Sequence, residues 1–281
     1  MTNKEGGYLN LGSHSMPLPD SKRLLIITHD VDWPRQGPGT SHILARQTRF
    51  SSDILRKVTE EGYNPYYGIP TIMEIEARFN LRSTFFFRPQ YDDGSPIQQY
   101  ADTITTLVKK GWEVGLHSNQ TATIEAILSE KMALETIVGG PVYGSRVHYL
   151  NVSANTFLNL ANAGIKYDSS LTYDKEKIDP RNTGYRVERG LVVFPITFMD
   201  TYLFTYLGLT ENTITDFIIN TMERLYTSGV RLITLLWHDN SIMMKGGRAY
   251  SALIENLASR LDISFLKGIE AFELVHKQII R

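Results

Sequence analysis

Two carboxylates stand close to the end of the most apolar stretch of this sequence. The run 24–27 is followed directly by Thr28, His29, Asp30 and, two positions later, Asp32. If the extended geometry persists, residues two apart project from the same face of a strand. Such a pair at the C-terminal end of a buried parallel strand is typical of metal ligands and general bases in α/β enzymes. The local alternative is a helix cap or an Asx turn.

Other predicted strands also end at ionisable side chains. His117 and His238 each close an apolar run, and Arg146 lies near the end of another, with His148 two positions later. The C-terminal ends of the strands of a parallel barrel meet at one rim, so we expect these residues to be neighbours.

Aspartate and histidine without cysteine define the metal chemistry that is open to this chain. The sequence contains no cysteine, which excludes disulfides, thiolate nucleophiles, zinc–thiolate sites and iron–sulfur clusters. Asp and His together suit Zn²⁺, Mn²⁺, Co²⁺ or Ni²⁺. A nearby carboxylate could act as base to a water, a histidine could protonate the leaving group, and an arginine would hold the base ionised and oriented. This inventory fits metal-assisted hydrolysis of an amide or ester.

Strand-like runs alternate with amphipathic helical stretches almost to the end of the 281 residues. This alternation predicts an α/β fold, a single-domain and distorted (β/α) barrel with about seven parallel strands. We expect a flexible N-terminal tail over residues 1–21 and one barrel domain over 22–281. The predicted strands are 24–33, 83–87, 112–117, 142–147, 165–168, 192–195 and 230–238, and the polar segment 169–189 is predicted as a loop.

Charge and hydropathy exclude several classes of partner. The 29 basic and 30 acidic residues give a formal net charge of −1, which argues against nucleic-acid binding. No apolar segment approaches the length of a membrane span, and the N-terminus lacks the apolar core of a signal peptide. We therefore expect a cytoplasmic protein without a membrane span.

From about residue 22 onward the sequence resembles the polysaccharide deacetylases with NodB homology. Residues 28–32, Thr-His-Asp-Val-Asp, resemble the first motif of that family, and 83–87 resemble its second strand. Leu236-Trp237-His238 matches the fifth motif, Leu-x-His. Residues 146–149, Arg-Val-His-Tyr, partly match the third motif, Arg-x-Pro-Tyr. The separated Asp-x-Asp form is similar to peptidoglycan-deacetylase-like and allantoinase-like members.

The resemblance implies a role for each matched residue. Asp30 would be the general base and Asp32 a metal ligand, while His238 would be the general acid. Arg146 would tether the base, and the backbone N–H of Tyr149 would help to hold the oxyanion. The metal implied is divalent, with zinc favoured and cobalt, nickel or manganese as alternatives.

The second motif departs from the family pattern. That pattern places two histidines four residues apart, whereas here His117 is followed by Thr121. A threonine hydroxyl is a poor zinc ligand beside Asp and His. Three alternatives stay open: His148 supplies the third ligand, the site is a weak two-residue one, or no metal is bound.

Several other residues are candidates for substrate binding. Trp33, Tyr149 and Trp237 could stack on a sugar ring, although core packing is an equal or stronger explanation for each. Asp200 follows a strand and could orient the arginine of the third motif or the histidine of the fifth. Thr121, which stands where the second motif has its second histidine, is a further candidate for substrate binding.

The leading hypothesis is a hydrolase that removes an N-acyl (acetyl) group from an amino sugar or glycan, with a carbohydrate as its partner. Hydrolysis of a non-sugar amide, as in allantoinase-like relatives, is the alternative within enzymes. A non-catalytic glycan-binding protein is the alternative outside them. Arg35, Arg46 and Arg49, in the connection after the first strand, could contact an anionic substrate or form a solvated face.

Overall fold

The computed structural model describes residues 22–279, so the predicted tail over 1–21 lies outside the described residues. Ten strands run through this range: β1 (Arg23–Val31), β2 (Thr84–Phe87), β3 (Glu113–Ser118), β4 (Gly144–Val147), β5 (Tyr167–Asp168), β6 (Arg186–Glu188), β7 (Leu191–Val193), β8 (Phe198–Met199), β9 (Leu232–Leu236) and β10 (Ile263–Leu266). The helices are α1 (Thr40–Leu44), α2 (Ser52–Glu61), α3 (Ile69–Arg78), α4 (Ala101–Lys109), α5 (Ile124–Val138), α6 (Thr156–Asn162), α7 (Asp200–Thr205), α8 (Ile214–Thr227), α9 (Arg248–Ala258) and α10 (Gly268–Ile279).

The strands form one curled sheet in the order β6-β7-β5-β4-β3-β2-β1-β9-β8, and β10 pairs with β1. All neighbouring strands are parallel except β6 and β7. The predicted distorted (β/α) barrel is confirmed, with three more strands than the seven expected. Strand β1 lies at the centre, where β9 pairs along one edge and β10 and β2 share the other.

Local sequence signals explain where the helices begin and end. The Ser51 side chain accepts a hydrogen bond from the backbone N–H of Ile54 at the start of α2, and Thr123 does the same for Ala126 at the start of α5. These caps satisfy backbone donors that have no partner inside the helix. Helix α5 ends at Gly139, whose φ of 73° is a left-handed conformation that glycine adopts without steric cost.

The structure differs from the sequence prediction at short elements. The segment predicted as a loop contains β6, which pairs with β7 across the turn at Arg189 and Gly190. Both turn residues have positive φ, 53° and 85°, as a tight two-residue hairpin requires. Strand β10 was also unexpected, because four residues without alternation do not distinguish a strand from the end of a helix.

The sheet buries side chains on both of its faces. The side chains on the outer face of the sheet pack against α3, α4, α5, α8 and α9. Strand β1 is buried from Leu24 to Val31. The barrel interior is filled by aromatic rings such as Phe86 and Tyr167. A Cβ atom added at Gly144 would lie 2.2 Å from the Tyr167 hydroxyl, so only glycine at that position lets the ring fill the interior. No described helix combines the length and the apolar character that crossing a membrane requires.

Candidate metal and active centre

The ionisable residues predicted at the strand ends do meet at one rim of the barrel. Strand β1 carries Asp30 to this rim, and Asp32 is the first residue after β1. Strand β3 carries His117 to the same rim. Strand β4 positions Arg146 and, one residue beyond its end, His148; His238 follows β9. Parallel pairing sets them side by side, since His117 is the register partner of Arg146.

Three of these residues form a cluster of potential metal ligands. The ligand atoms of Asp32, His117 and His148 all lie within 4.8 Å of one another. Nε2 of His117 is 3.0 Å from Oδ1 of Asp32, and Nε2 of His148 is 4.0 Å from the same oxygen. Nδ1 of His117 lies 2.9 Å from the carbonyl oxygen of Arg146; it therefore keeps its proton, and Nε2 is the nitrogen that would bind a cation after losing its own proton. One carboxylate oxygen and two imidazole nitrogens are a donor set that fits Zn²⁺.

Two members of this cluster have protonation states that favour cation binding, whereas the third, His117, would have to release a proton: burial acts to lower its pKa, but Asp30 and Asp32 raise it. Burial acts to raise the pKa of Asp32, but the hydrogen bond with His117 and the charge of His238 lower that pKa well below its usual range. Burial, together with the charge of His117, lowers the pKa of His148 to about 4. At neutral pH Asp32 is therefore a carboxylate and His148 a neutral imidazole, which are the forms that bind a metal.

Asp30 is held by a buried arginine. Nη1 of Arg146 donates to Oδ1 of Asp30 at 2.9 Å and to the Thr28 hydroxyl at 3.0 Å. Its Nε and Nη2 donate to the carbonyl and hydroxyl oxygens of Ser169, both at 2.7 Å, and the guanidinium lies 4.8 Å from the ring centre of Phe86. All polar contacts of Arg146 are thus made inside the barrel. The second oxygen of Asp30 faces the ligand cluster, 3.8 Å from Nε2 of His117.

His238 forms a dyad with a second buried carboxylate. Its Nδ1 donates to Oδ1 of Asp200 at 2.6 Å, and its backbone N–H donates to the other oxygen at 3.0 Å. Ser241 also donates to that other oxygen. Burial acts to lower the pKa of His238, but the charge and hydrogen bond of Asp200 raise it to about 10. The ring is therefore protonated at neutral pH, with Nε2 3.6 Å from Asp32.

Tyr149 adopts a left-handed backbone conformation beside the cluster. Its φ is 58° and that of Leu150 is 55°, values that are uncommon for residues other than glycine. The Tyr149 side chain is 80% exposed, and its ring centre lies 3.8 Å from that of His148. Tyr149 thus presents a ring at the mouth of the site, where the sequence predicted a substrate contact.

These residues line a cleft of about 660 Å³. Asp30, Asp32, His117, His148 and His238 lie in its lining. Apolar and aromatic side chains share that lining, among them Leu150, Met199, Tyr202, Phe204 and Met244. A volume of this size accommodates a small molecule or a sugar unit.

Three predicted substrate contacts lie elsewhere. Trp237 is fully buried and packs on Tyr250, so it has no face for a sugar and its predicted stacking role is wrong. Trp33 is outside the cleft lining and packs edge-on against Tyr66. Thr121 is buried, pairs with a neighbouring threonine hydroxyl and does not line the cleft. Alternating side-chain direction explains why Trp237 is buried: successive side chains of an extended segment point to opposite sides, and His238, the next residue, points into the cleft.

Sequence reasoning missed residues that support or surround the site. Ser169 holds the guanidinium of Arg146, and Ser170 Oγ accepts a hydrogen bond from the backbone N–H of Val147. Both follow β5, so the rule that strand ends converge could have identified them. Lys175 and Lys245 line the cleft but come from irregular segments that carry no sequence signal of their position.

Comparison with known proteins supports the fold. No family model matches the sequence, and no curated protein matches it. Among solved structures, a protein from Mycobacterium smegmatis assigned as a polysaccharide deacetylase has a TM-score of 0.68 and 19% identity, covering 94% of each chain. The PuuE allantoinase has a TM-score of 0.70 and 15% identity, covering 98% of each.

A pseudoenzyme of the CE4 family from Bacillus anthracis is also similar. Its TM-score is 0.53 at 11% identity, over 89% of this chain and 66% of that one. Identities this low establish architecture and leave the chemistry to the residues of each site. On this structural evidence, the chain has the fold of the polysaccharide deacetylases, as the resemblance of its motifs implied.

Proposed function

We propose that this protein is a metal-dependent hydrolase that removes an N-acyl group, such as acetyl, from an amino sugar or glycan. The observation that carries the proposal is one cleft in which a tethered carboxylate, a protonated histidine and an Asp-His-His donor set face each other. Oδ2 of Asp30 lies 3.8 Å from Nε2 of His117, and Nε2 of His238 lies 3.6 Å from Oδ2 of Asp32.

Asp32, His117 and His148 would hold the divalent cation, preferably Zn²⁺. Bound there, the ion would polarise the acyl carbonyl and lower the pKa of a water molecule. In this assignment His148 replaces the second histidine of the family motif, while Thr121 has no ligand role.

Asp30 is the proposed general base. Arg146 engages one of its oxygens and fixes the carboxylate plane, so the free oxygen faces the ligand cluster. From there it accepts a proton from the water that attacks the acyl carbon. A positioned base of this kind accelerates such reactions by about 10² to 10⁴-fold.

His238 is the proposed general acid. Because Asp200 accepts from Nδ1, the second ring proton is on Nε2, the nitrogen nearer to Asp32. When the tetrahedral carbon collapses, Nε2 donates this proton to the departing amine nitrogen. The backbone N–H of Tyr149 would donate to the oxyanion, and its exposed ring would contact the sugar.

Release of acetate from N-acetylated chito-oligosaccharides by the zinc-loaded protein tests this proposal. We expect Asp30→Asn to reduce release by about 10² to 10⁴-fold with metal content retained. Asp93→Asn, which changes an exposed carboxylate outside the cleft, is the matched control and should behave as the parent protein. Equal acetate release by parent protein and Asp30→Asn would refute the assignment of the base.

Hydrolysis of a non-sugar amide is the second candidate, and the likeness to the PuuE allantoinase over nearly the full length of both chains favours it. The same base, acid and ligand set could act on a ureide. A panel containing allantoin beside N-acetylated sugars separates the two, since a ureide hydrolase should release no acetate.

A non-catalytic glycan-binding protein is the third candidate, favoured by the likeness to a pseudoenzyme and by the absence of a second motif histidine. It requires that no stoichiometric metal survive dialysis and that sugar binding be indifferent to a chelator. Retention of one zinc per chain together with acetate release would exclude it.

A further inference from the structure

The charges that line the cleft are separated by depth. The carboxylates in its lining are Asp30, Asp32 and Asp200, which belong to the base, the ligand cluster and the acid dyad. The remaining charged side chains of the described lining, apart from the histidines, are all cationic: Arg49, Lys175 and Lys245. These three are exposed, whereas Asp30 and Asp200 are buried.

Three separate segments supply these cations. Arg49 ends a short helical turn between α1 and α2, Lys175 lies in the connection between β5 and β6, and Lys245 begins a turn before α9. The ammonium of Lys175 lies 5.7 and 5.9 Å from the ring centres of Tyr202 and Tyr206. Three connections remote in sequence thus bring positive charge to one opening.

None of these three cations forms an ion pair with a carboxylate among residues 22–279. Some exposed arginines elsewhere in the chain do have acidic partners. Examples are the pairs Arg56–Glu60, Arg78–Glu74 and Arg248–Glu211. Around the cleft, the chain therefore provides positive charge without its own counter-charge.

Unpaired cations around a partly enclosed cleft concentrate anions there. The buried carboxylates at the floor already have counter-charges, Asp30 in Arg146 and Asp200 in protonated His238, whereas the three rim cations have none, so a negatively charged group is favoured at the rim. A substrate that carries its charge away from the acyl group would enter with the acyl group toward the floor. Binding of the anionic group to the rim cations would orient it for hydrolysis.

We propose that the substrate carries a phosphate or carboxylate group, separate from its N-acyl group, that binds to Arg49, Lys175 and Lys245. This inference rests on the proposed function for its N-acyl part. The anion-binding part stands on the charge distribution of the cleft alone, so the two can be tested apart.

Binding of sugars that cannot be hydrolysed tests the anion site by itself. Glucose 1-phosphate and glucuronate are compared with glucose, by calorimetry or ligand-observed NMR, on the metal-loaded protein. We expect at least one anionic sugar to bind about tenfold more tightly than glucose at low salt, and to lose most of that advantage at 0.5 M NaCl. If glucose 1-phosphate binds more tightly, the anionic group of the substrate is a phosphate; if glucuronate does, it is a carboxylate.

A combined variant, Arg49→Gln with Lys175→Gln and Lys245→Gln, should bring the affinities for anionic and neutral sugars together. A matched variant, Lys57→Gln with Lys109→Gln and Lys110→Gln, removes the same net charge outside the cleft and should keep the preference. Equal affinity for all three sugars in the parent protein overturns the proposal. A preference that survives in the cleft variant also overturns it, because the anion would then bind elsewhere, for example at the metal.

Hydrolysis distinguishes failure of this inference from failure of the proposed function. Acetate release is measured from N-acetylglucosamine, N-acetylglucosamine 1-phosphate and N-acetylmuramic acid. Release from all three at equal kcat/KM, without any preference in binding, overturns the anion site and leaves the deacetylase proposal standing. A binding preference that the cleft variant abolishes, with no acetate released from any sugar, supports the anion site and overturns the deacetylase proposal.

Discussion

Nε2 of His148 lies 4.0 Å from Oδ1 of Asp32, and the two residues form one ligand cluster with His117. Thr121, which stands where the family motif has its second histidine, is buried against Thr156 and does not line the cleft. This relationship makes His148 the candidate for the third ligand, and it can be tested directly.

Replacing His148 by alanine should lower the metal content of the protein as strongly as His117→Ala does. Loss of one of three protein ligands leaves a two-ligand site, and even outer-shell changes at such sites cost about 10 to 100-fold in affinity. Metal stoichiometry after dialysis, measured by mass spectrometry, provides the test. Thr121→Ala is the control and should retain the metal. Full zinc loading in His148→Ala would exclude the replacement of the motif histidine by His148.

Arg146→Lys should reduce kcat while leaving KM almost unchanged. The guanidinium reaches Asp30 and both oxygens of Ser169 at once, which one ammonium cannot do. Misplacing a reacting group by about 1 Å has an effect of about a hundredfold, and we expect a loss of that order in acetate release. Arg23→Lys, which alters an arginine in ion pairs far from the cleft, serves as the control. A loss confined to KM would show that Arg146 binds substrate instead of orienting the base.

Asp200→Asn should shift the alkaline limb of the pH–rate profile to lower pH. The Asp200 carboxylate stabilises the imidazolium of His238 and raises its pKa to about 10. Removing that negative charge favours the neutral ring, so the acid form is lost at a lower pH, by about one to three units. Profiles of kcat between pH 6 and 11 measure the shift.

Ser241→Ala is the matched variant for this experiment, because it removes a hydrogen bond to Asp200 and keeps the charge. Its profile should move much less than that of Asp200→Asn. Coincident profiles for the parent protein and Asp200→Asn would contradict the role of His238 as a general acid.

A buried polar network behind the site should control stability. Oε1 of Glu76 lies 2.9 Å from Nε2 of His29 and accepts from the Tyr250 hydroxyl, while its other oxygen accepts from Ser83 and Trp112. Burial acts to raise the pKa of Glu76, but these hydrogen bonds and the charge of His29 bring it below its usual value. Leaving a buried partner uncompensated costs about 3 to 5 kcal/mol, so we expect Glu76→Gln to lose stability of that order at pH 7.

The pH dependence of this loss has a definite sign. A carboxyl whose pKa is lower in the folded state contributes stability above its usual pKa of 4.5, and the contribution is lost as the pH falls through the folded value. The difference in unfolding free energy between the parent protein and Glu76→Gln, from urea titrations, should therefore narrow below about pH 4. A difference that stays constant from pH 7 to pH 3 would show that the ionised form of Glu76 adds nothing.

Much of this protein was predictable because its main signals are local. The unbroken apolar run of β1, the capping residues of α5 and the alternation of strands with helices each depend on a few neighbouring residues. Once a parallel barrel is expected, the convergence of strand ends places Asp30, His117, Arg146 and His238 together. Residue type and spacing were sufficient for this part of the site.

For the other residues of the site and its surroundings, only the tertiary structure decided whether the side chain points into the cleft or into the core. Burial of Trp237 follows from the side of β9 on which it falls, and the positions of His148 and Thr121 follow from how two irregular segments pack. The three cleft cations come from connections whose paths depend on contacts between distant parts of the chain. Patterns of nearest neighbours carry no information on such contacts, because strand registers and packed loops join residues separated by tens to hundreds of positions.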